Sequence, residues 1–252
     1  GGQAIGKMVE YCGEAVEALS IAERATMTNL AAEVGAFSGI GAPDEKTVEF
    51  LARERGLDAA DARQLCEGLA SDPDAEYVHT IEIDVSALEP LVATPGDPGN
   101  GVPISELDEI AIEIAYGGSC TAGKKEDMDM YAHVLAHAVE HGHSVAEGVE
   151  FWIQFGSQEV KQYCREQGYL EVFEKAGAQI IEPSCGACIN AGPGVSRRPD
   201  QVTVSAINRN FPGRSGPGLM YLASPLTVAA SAIAGKIVKW DPESVESAAA
   251  SQ

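Results

Sequence analysis

Three of the six cysteines stand where a thiol could do chemistry. Cys120, Cys185 and Cys188 lie among Gly, Ser, Thr and Pro residues, in segments that read as loops. Cys12, Cys66 and Cys164 lie within amphipathic helical patterns and read as small buried hydrophobes. Cys185-Gly-Ala-Cys188 is a C-x-x-C pair, which admits a redox couple, half a zinc site or two ligands of an iron–sulfur cluster. For zinc, further ligands would come from His79, His133, His137, His141 or His143. However, His133, His137 and His141 recur at i, i+4 spacing near a helix end, which reads more simply as a solvated helix C-terminus. Three thiolates differ physically: a cubane cluster bound by three cysteines leaves one iron without a protein ligand, a Lewis acid toward a substrate hydroxyl and carboxylate. Such a site calls for guanidinium groups, which match carboxylate oxygens bidentately. The string NRNFPGR at 208–214 places Arg209 and Arg214, two of only nine arginines, in one glycine-containing loop. Taken in isolation, that string reads as two surface ion-pairing arginines.

The elements around these residues fall into two patterns. The first hundred residues read mostly helical. AERATMTNLAAEVGAF has helical spacing and sets Asn29 and Glu33 four apart on one face. Asp44 is an N-cap candidate for EKTVEFLARERG, and Asp58 or Asp61 starts a short helix through Leu69. Alternation in YVHTIEIDVSAL predicts a strand over 77–88, and the Pro- and Gly-rich LVATPGDPGNGVP, 91–103, reads as a linker. Beyond it, strands alternate with helices: EIAIEIAY, a helix from near Glu126 to about Glu140, VEFWIQF, and a helix capped by Ser157 and stopped by Gly168. Then follow LEVFEKAG, AQIIEP, QVTVSAI and a helix capped by Ser224 with Pro225 at its first position. Such alternation implies a parallel sheet with covered faces, whose ligands gather where strands end in loops. The Cys120, Cys185 and Arg209 segments each follow a strand. The closing SVESAAASQ reads as a frayed end.

Composition narrows the function classes. The chain has 252 residues, 45% hydrophobic and 22% charged, and a net charge of −21. Phosphate contact needs clustered Lys and Arg, so nucleic-acid binding and attachment to anionic lipid are disfavoured. No apolar run is long enough to span a membrane. Six cysteines are too sparse for a disulfide scaffold, which predicts a reducing compartment and a cytoplasmic location. The N-terminus lacks a secretory pattern and an initiator Met, so we expect a piece of something longer.

Read together, these strings resemble the large subunit of the aconitase superfamily, which includes aconitase, homoaconitase and 3-isopropylmalate dehydratase. The matching segments run in the family's order: TMTNLAAEVGA at 26–36, IEID through LEP at 81–90, GSCT at 118–121 with Glu126 and Asp127, CGAC at 185–188, the arginine loop, and Ser224-Pro225. The resemblance implies an α/β protein: two aconitase-like domains, with mainly parallel sheets covered by helices. The mostly helical second domain would span 1–98 and the third 99–252. It implies a [4Fe-4S] cluster on Cys120, Cys185 and Cys188, with Ser119 and Asn208 beside it. Arg209 and Arg214 would hold substrate carboxylates, and Asn29 and Glu33 would face the cluster and orient iron-bound water. The implied activity is that of a hydro-lyase, the reversible dehydration of a hydroxy di- or tricarboxylic acid such as citrate or isopropylmalate. Its partners would be that small acid and the remaining aconitase domains or a small swivelling-domain subunit.

This sequence departs from the family at Ala122, where the first cysteine motif usually continues with Asn, and in the loop after Cys188. The family's upstream Asp-His and Asp-Ser-His motifs and its swivelling domain are not found in the chain, so we expect this piece alone to be inactive. A non-catalytic aconitase-like interaction module, holding zinc or no metal, is the alternative.

Overall fold

The computed structural model describes residues 4–243 and 245. Of the terminal stretch read above as frayed, all but Val245 lies outside them. The chain forms two compact units, divided between Leu88 and Glu89.

In the first unit two parallel strands, β1 (Met8–Tyr11) and β2 (Ser38–Gly41), pair in register from Met8 opposite Ser38. Four helices accompany them: α1 (Glu14–Ala18), α2 (Ile21–Leu30), α3 (Glu45–Arg55) and α4 (Ala59–Cys66). The caps follow the side-chain chemistry. Ser20 and Glu23 form a reciprocal capping box on α2, Asp44 accepts from the Thr47 amide, and Asp58 accepts from the Ala60 amide. Arg24, buried on α2, joins three pieces. It donates to the Val16 and Glu17 carbonyls at 3.0 Å each and to the Asp44 carboxylate at 2.6 Å.

That guanidinium holds the Asp44 carboxyl below the usual carboxylate range. The stabilisation is therefore complete above the ordinary carboxylate pKa and fades as pH falls through the lowered one. Asp44→Ala will cost about 1–2 kcal/mol at neutral pH, as lost N-caps do. Thermal unfolding checks this: the gap between the parent and the variant narrows in acid, and a gap constant down to strongly acidic pH contradicts it.

Three expectations for this unit are corrected. Cys12, read as a buried helical residue, is exposed between β1 and α1, and Cys66 is half-buried at the end of α4. The helix over 22–37 stops at Leu30 and continues as a 3-10 turn, Ala31–Val34, ended by left-handed Gly35. The strand β2 crosses tightly there: a Cβ on Gly39 would lie 2.7 Å from Ala31 Cβ and 2.9 Å from the Thr28 carbonyl oxygen. The strand expected over 77–88 is likewise not formed among the described residues; only a 3-10 turn, Val85–Ala87, interrupts irregular backbone. An alternating pattern becomes a strand only where a neighbour completes the ladder, and Val78, Ile81 and Ile83 are instead exposed.

The second unit is built on a seven-stranded sheet with order β4-β3-β9-β8-β5-β6-β7. The segment expected as linker is part of it. Here β3 (Leu91–Ala93) and β4 (Gly101–Pro103) form an antiparallel hairpin, because PGDPGN supplies a turn between two short extended runs. The other strands are mutually parallel: β5 (Ile114–Gly118), β6 (Glu150–Gln154), β7 (Gln179–Ile181), β8 (Val202–Ser205) and β9 (Leu219–Leu222). The helices are α5 (Ser119–Ala122), α6 (Lys125–Glu140), α7 (Gln158–Glu166), α8 (Tyr169–Ala176) and α9 (Pro225–Ala234).

Side chains alternate across a strand, and here the two faces differ. Ala115, Phe151, Ile153 and Val204 join Tyr131, Leu135, Phe173 and Ile233 of the helices in the main core. Tyr116 and Met220, with Trp152 and Leu222, face the other way, into a smaller cluster completed by Ala187, Cys188, Val195 and Ile207. Helices cover one face, and the loop bearing Cys188 crosses the other. From the central β5 the chain winds to β6 and β7 on one side, then returns to β8 and β9 on the other. The β5/β8 boundary is thus the switch point at which doubly wound sheets bind ligands. Among the described residues no helix is long and apolar enough to cross a membrane.

Candidate metal centre

Cys120, Cys185 and the 208–214 loop all lie beyond the C-terminal ends of parallel strands, β5, β7 and β8 respectively. At the end of β5, Gly118 has φ +114 and Ser119 φ +70. A non-glycine residue at positive φ is uncommon and marks a turn held by its surroundings. Tyr131 holds it. Its hydroxyl accepts from the Gly118 amide at 3.0 Å and donates to the Ala122 carbonyl at 3.2 Å, bracketing α5. Ser119, Thr121 and Ala122 are buried, and Thr121 Oγ1 donates to the Ala206 carbonyl at 3.2 Å. With its neighbours turned inward, Cys120 is the exposed residue of the turn. Ser119, expected beside the cofactor, is buried with its hydroxyl 3.3 Å from that of Thr121.

The second cysteine segment is a 3-10 turn, Gly186–Ile189, closed by Asn190 in the left-handed region. Cys185 is exposed and Cys188 half-buried; neither is in a disulfide. Gly186 is required twice: its φ is +52, and a Cβ there would lie 2.6 Å from the Tyr116 hydroxyl. Ser215 Oγ donates to the Ala187 carbonyl, tying this turn to the arginine loop.

Around Cys188 the expected residues come into contact. Arg214 Nη2 lies 3.1 Å from Cys188 Sγ, and Cys188 Sγ lies 3.7 Å from Asn208 Oδ1. Arg214 Nε is buried with no hydrogen-bond partner among the described residues, an unmet donor in the side chain that reaches the thiol. Arg209 is half-buried in the same loop. Asn29, exposed in the last turn of α2, and Glu33, half-buried in the following 3-10 turn, belong to the first unit.

Sequence reading missed three residues. Asn210 is buried and donates to the carbonyls of Thr94 at 2.8 Å and Met220 at 3.2 Å, fastening the arginine loop to the sheet edge. Tyr116 floors the smaller cluster, and burial pushes its phenol up to about 12. It donates to Gln154 Oε1 at 2.7 Å. Gln154 is fully buried, and the available signal was a lone amide within the apolar run FWIQF.

The donor set separates the metal options. Among the described residues no three or more His, Cys, Asp or Glu side chains are grouped to share one metal ion. His133 and His137 stand in the second half of α6 and His141 at its C-cap. There His133 and His137 pack edge-on against Trp240, each with centroids 5.4 Å apart. A cubane cluster makes a different demand, because each thiolate binds a different iron and the sulfurs are spaced by the cluster's width. Three thiols outside any disulfide, on one rim, with an unmet guanidinium donor beside one of them, fit it.

Comparison with known proteins identifies the family. The family model for the aconitase family (aconitate hydratase) matches residues 1–110 and 105–235. The chain is 41% identical over 231 residues to 3-isopropylmalate dehydratase large subunit 1 of Methanopyrus kandleri, covering 91% of this chain and 52% of that protein. It is 42% identical over 246 residues to the protein of the same name in Pyrococcus furiosus, with 96% and 54% covered. It is 38% identical over 240 residues to the large subunit of Aquifex aeolicus, with 94% and 54% covered. The chain therefore belongs to the aconitase family. It spans about half the length of the curated relatives it matches.

Proposed function

We propose that this chain is part of a [4Fe-4S] hydro-lyase that dehydrates and rehydrates a hydroxy di- or tricarboxylic acid, isopropylmalate being the first candidate. The observation that carries the reading is the contact of Cys188 with Arg214 and Asn208, in the loops that follow β7 and β8 of the parallel sheet. Cys120, Cys185 and Cys188 hold the cluster. When bound, the cluster supplies a Lewis-acidic iron that polarises the departing hydroxyl.

The remaining roles fall to the chain's own side chains. Arg214, and Arg209 from the same loop, bind substrate carboxylate oxygens, a geometry suited to the planar guanidinium fork. Asn208, whose Oδ1 lies 3.7 Å from Cys188 Sγ, positions that thiol. The buried, neutral Tyr116 keeps water from beneath the cysteine turn. By the family resemblance, Asn29 and Glu33 of the first unit would handle water and its proton. The acidic surface suits a cytoplasmic protein whose partners are a small subunit and the segments that complete its relatives. Without those segments, turnover by these 252 residues is negligible.

Anaerobic reconstitution with iron and sulfide tests the ligand assignment. The parent protein gains broad visible absorption; Cys185→Ser loses it, and Cys164→Ser, altering a buried thiol of α7, keeps it. Equal loss in both variants, or zinc in place of iron with acid-labile sulfide, contradicts the proposal.

A further inference from the structure

One residue touches both cysteine segments. Gln154 is the last residue of β6 and the register partner of Gly118, the residue that turns the chain into Cys120. Its carbonyl oxygen lies where a Cβ on Gly118 would come within 1.9 Å, so the backbone of Gln154 is the wall against which the Cys120 turn is set. Its side chain runs the other way. Oε1 accepts from the Tyr116 hydroxyl at 2.7 Å, while Nε2 donates to Ser184 Oγ at 2.6 Å and to the Glu182 carbonyl at 3.3 Å. Ser184 immediately precedes Cys185. Tyr116 and Gln154 Nε2 also close the space over Gly186, at 2.6 and 3.0 Å from where its Cβ would stand.

A fully buried amide with both ends satisfied is costly to dismantle and therefore specifies one arrangement. The hydroxyl of Tyr116 fixes the amide's orientation, because burial keeps it a donor and leaves Oε1 as its acceptor. From this geometry we infer that Gln154 is a positioning residue, with Tyr116 as its orienter, and that it sets the Cys185–Cys188 turn at a fixed distance from the Cys120 turn. The significance of that distance rests on the cluster reading above. The lock itself is a property of the metal-free chain.

The test is hydrogen exchange on the metal-free protein, compared among the parent, Gln154→Leu, Gln154→Glu and Tyr116→Phe. The reporters are the turn amides of Cys188, Asn190 and Ala191, which donate to Cys185, Ala187 and Gly186 respectively. Gln154→Leu and Tyr116→Phe will speed their exchange by about tenfold or more, with β5 and β6 amides unchanged; a factor of ten corresponds to ~1.4 kcal/mol of lost opening energy. Gln154→Glu keeps the acceptor for Tyr116 but loses the donor toward Ser184, and will fall between. If Gln154→Leu fails to fold, Gln154→Glu still decides, since it keeps the acceptor for Tyr116 and removes only the donor toward Ser184 and Glu182. Unchanged turn exchange, or equal acceleration throughout β5 and β6, overturns the inference. After reconstitution, the loosened variants will lose their cluster in air about tenfold faster than the parent; equal lifetimes also overturn it. Should the parent take up no cluster while its turn exchange responds as described, the lock stands and the cluster reading falls.

Discussion

Gly118→Ala will leave the second unit unable to hold its native structure. The substitution meets two independent penalties. At φ +114 an L-residue is strained by ~1–3 kcal/mol. The added methyl would sit 1.9 Å from the Gln154 carbonyl oxygen and 2.7 Å from its carbon, in the backbone of a paired strand that cannot move alone. Overpacking of that kind costs ~1–3 kcal/mol or more, so the sum approaches the whole stability of an ordinary domain. Circular dichroism and thermal unfolding check this. Gly142→Ala is the control: its φ is also positive, +78, but nothing lies within 4 Å of the new Cβ. It will cost far less. Equal losses in the two variants contradict the account, because they would assign the effect to backbone strain alone.

Arg214→Ala will weaken binding of a hydroxy dicarboxylate to the reconstituted protein by roughly thirtyfold, the equivalent of ~2 kcal/mol for hydrogen bonds to a charged group. In the structure Nη2 reaches Cys188, so the guanidinium stands at the cysteine turn, where its fork can meet a carboxylate. Arg214→Lys will recover little of the loss, since an ammonium offers a point charge without the planar fork. Titration followed by the visible spectrum measures it. Unchanged affinity in Arg214→Ala contradicts the assignment.

Legibility from sequence tracked how local the determinants were. Caps at Asp44, Ser157 and Ser224 were readable because the capping side chain bonds within its own first turn. The parallel sheet was readable from the alternation of strands and helices after position 103. The hairpin β3–β4 was not, since two three-residue strands within PGDPGN-rich sequence look like a linker until β9 pairs with one of them. The strand expected over 77–88 failed for the converse reason: its pattern is local, but a ladder needs a neighbour. At the site, Cys188 could be picked out by type and spacing, and Asn208 and Arg214 only once the family resemblance was recognised. Tyr116, Gln154 and Asn210 could not, because each acts through partners between 10 and 117 positions away and looks like ordinary strand or loop residue in its own segment.

The central claim is that a sulfur from the β5 turn shares one cluster with the pair 65 and 68 positions further along the chain. Iron and acid-labile sulfide, measured after anaerobic reconstitution of Cys120→Ser and of the parent, test it most directly. Cys120 is remote in sequence from the C-x-x-C pair and takes no part in that motif. The account predicts iron and sulfide in equal amounts in the parent and their loss in Cys120→Ser, as complete as in Cys185→Ser. Full retention of both in Cys120→Ser contradicts it.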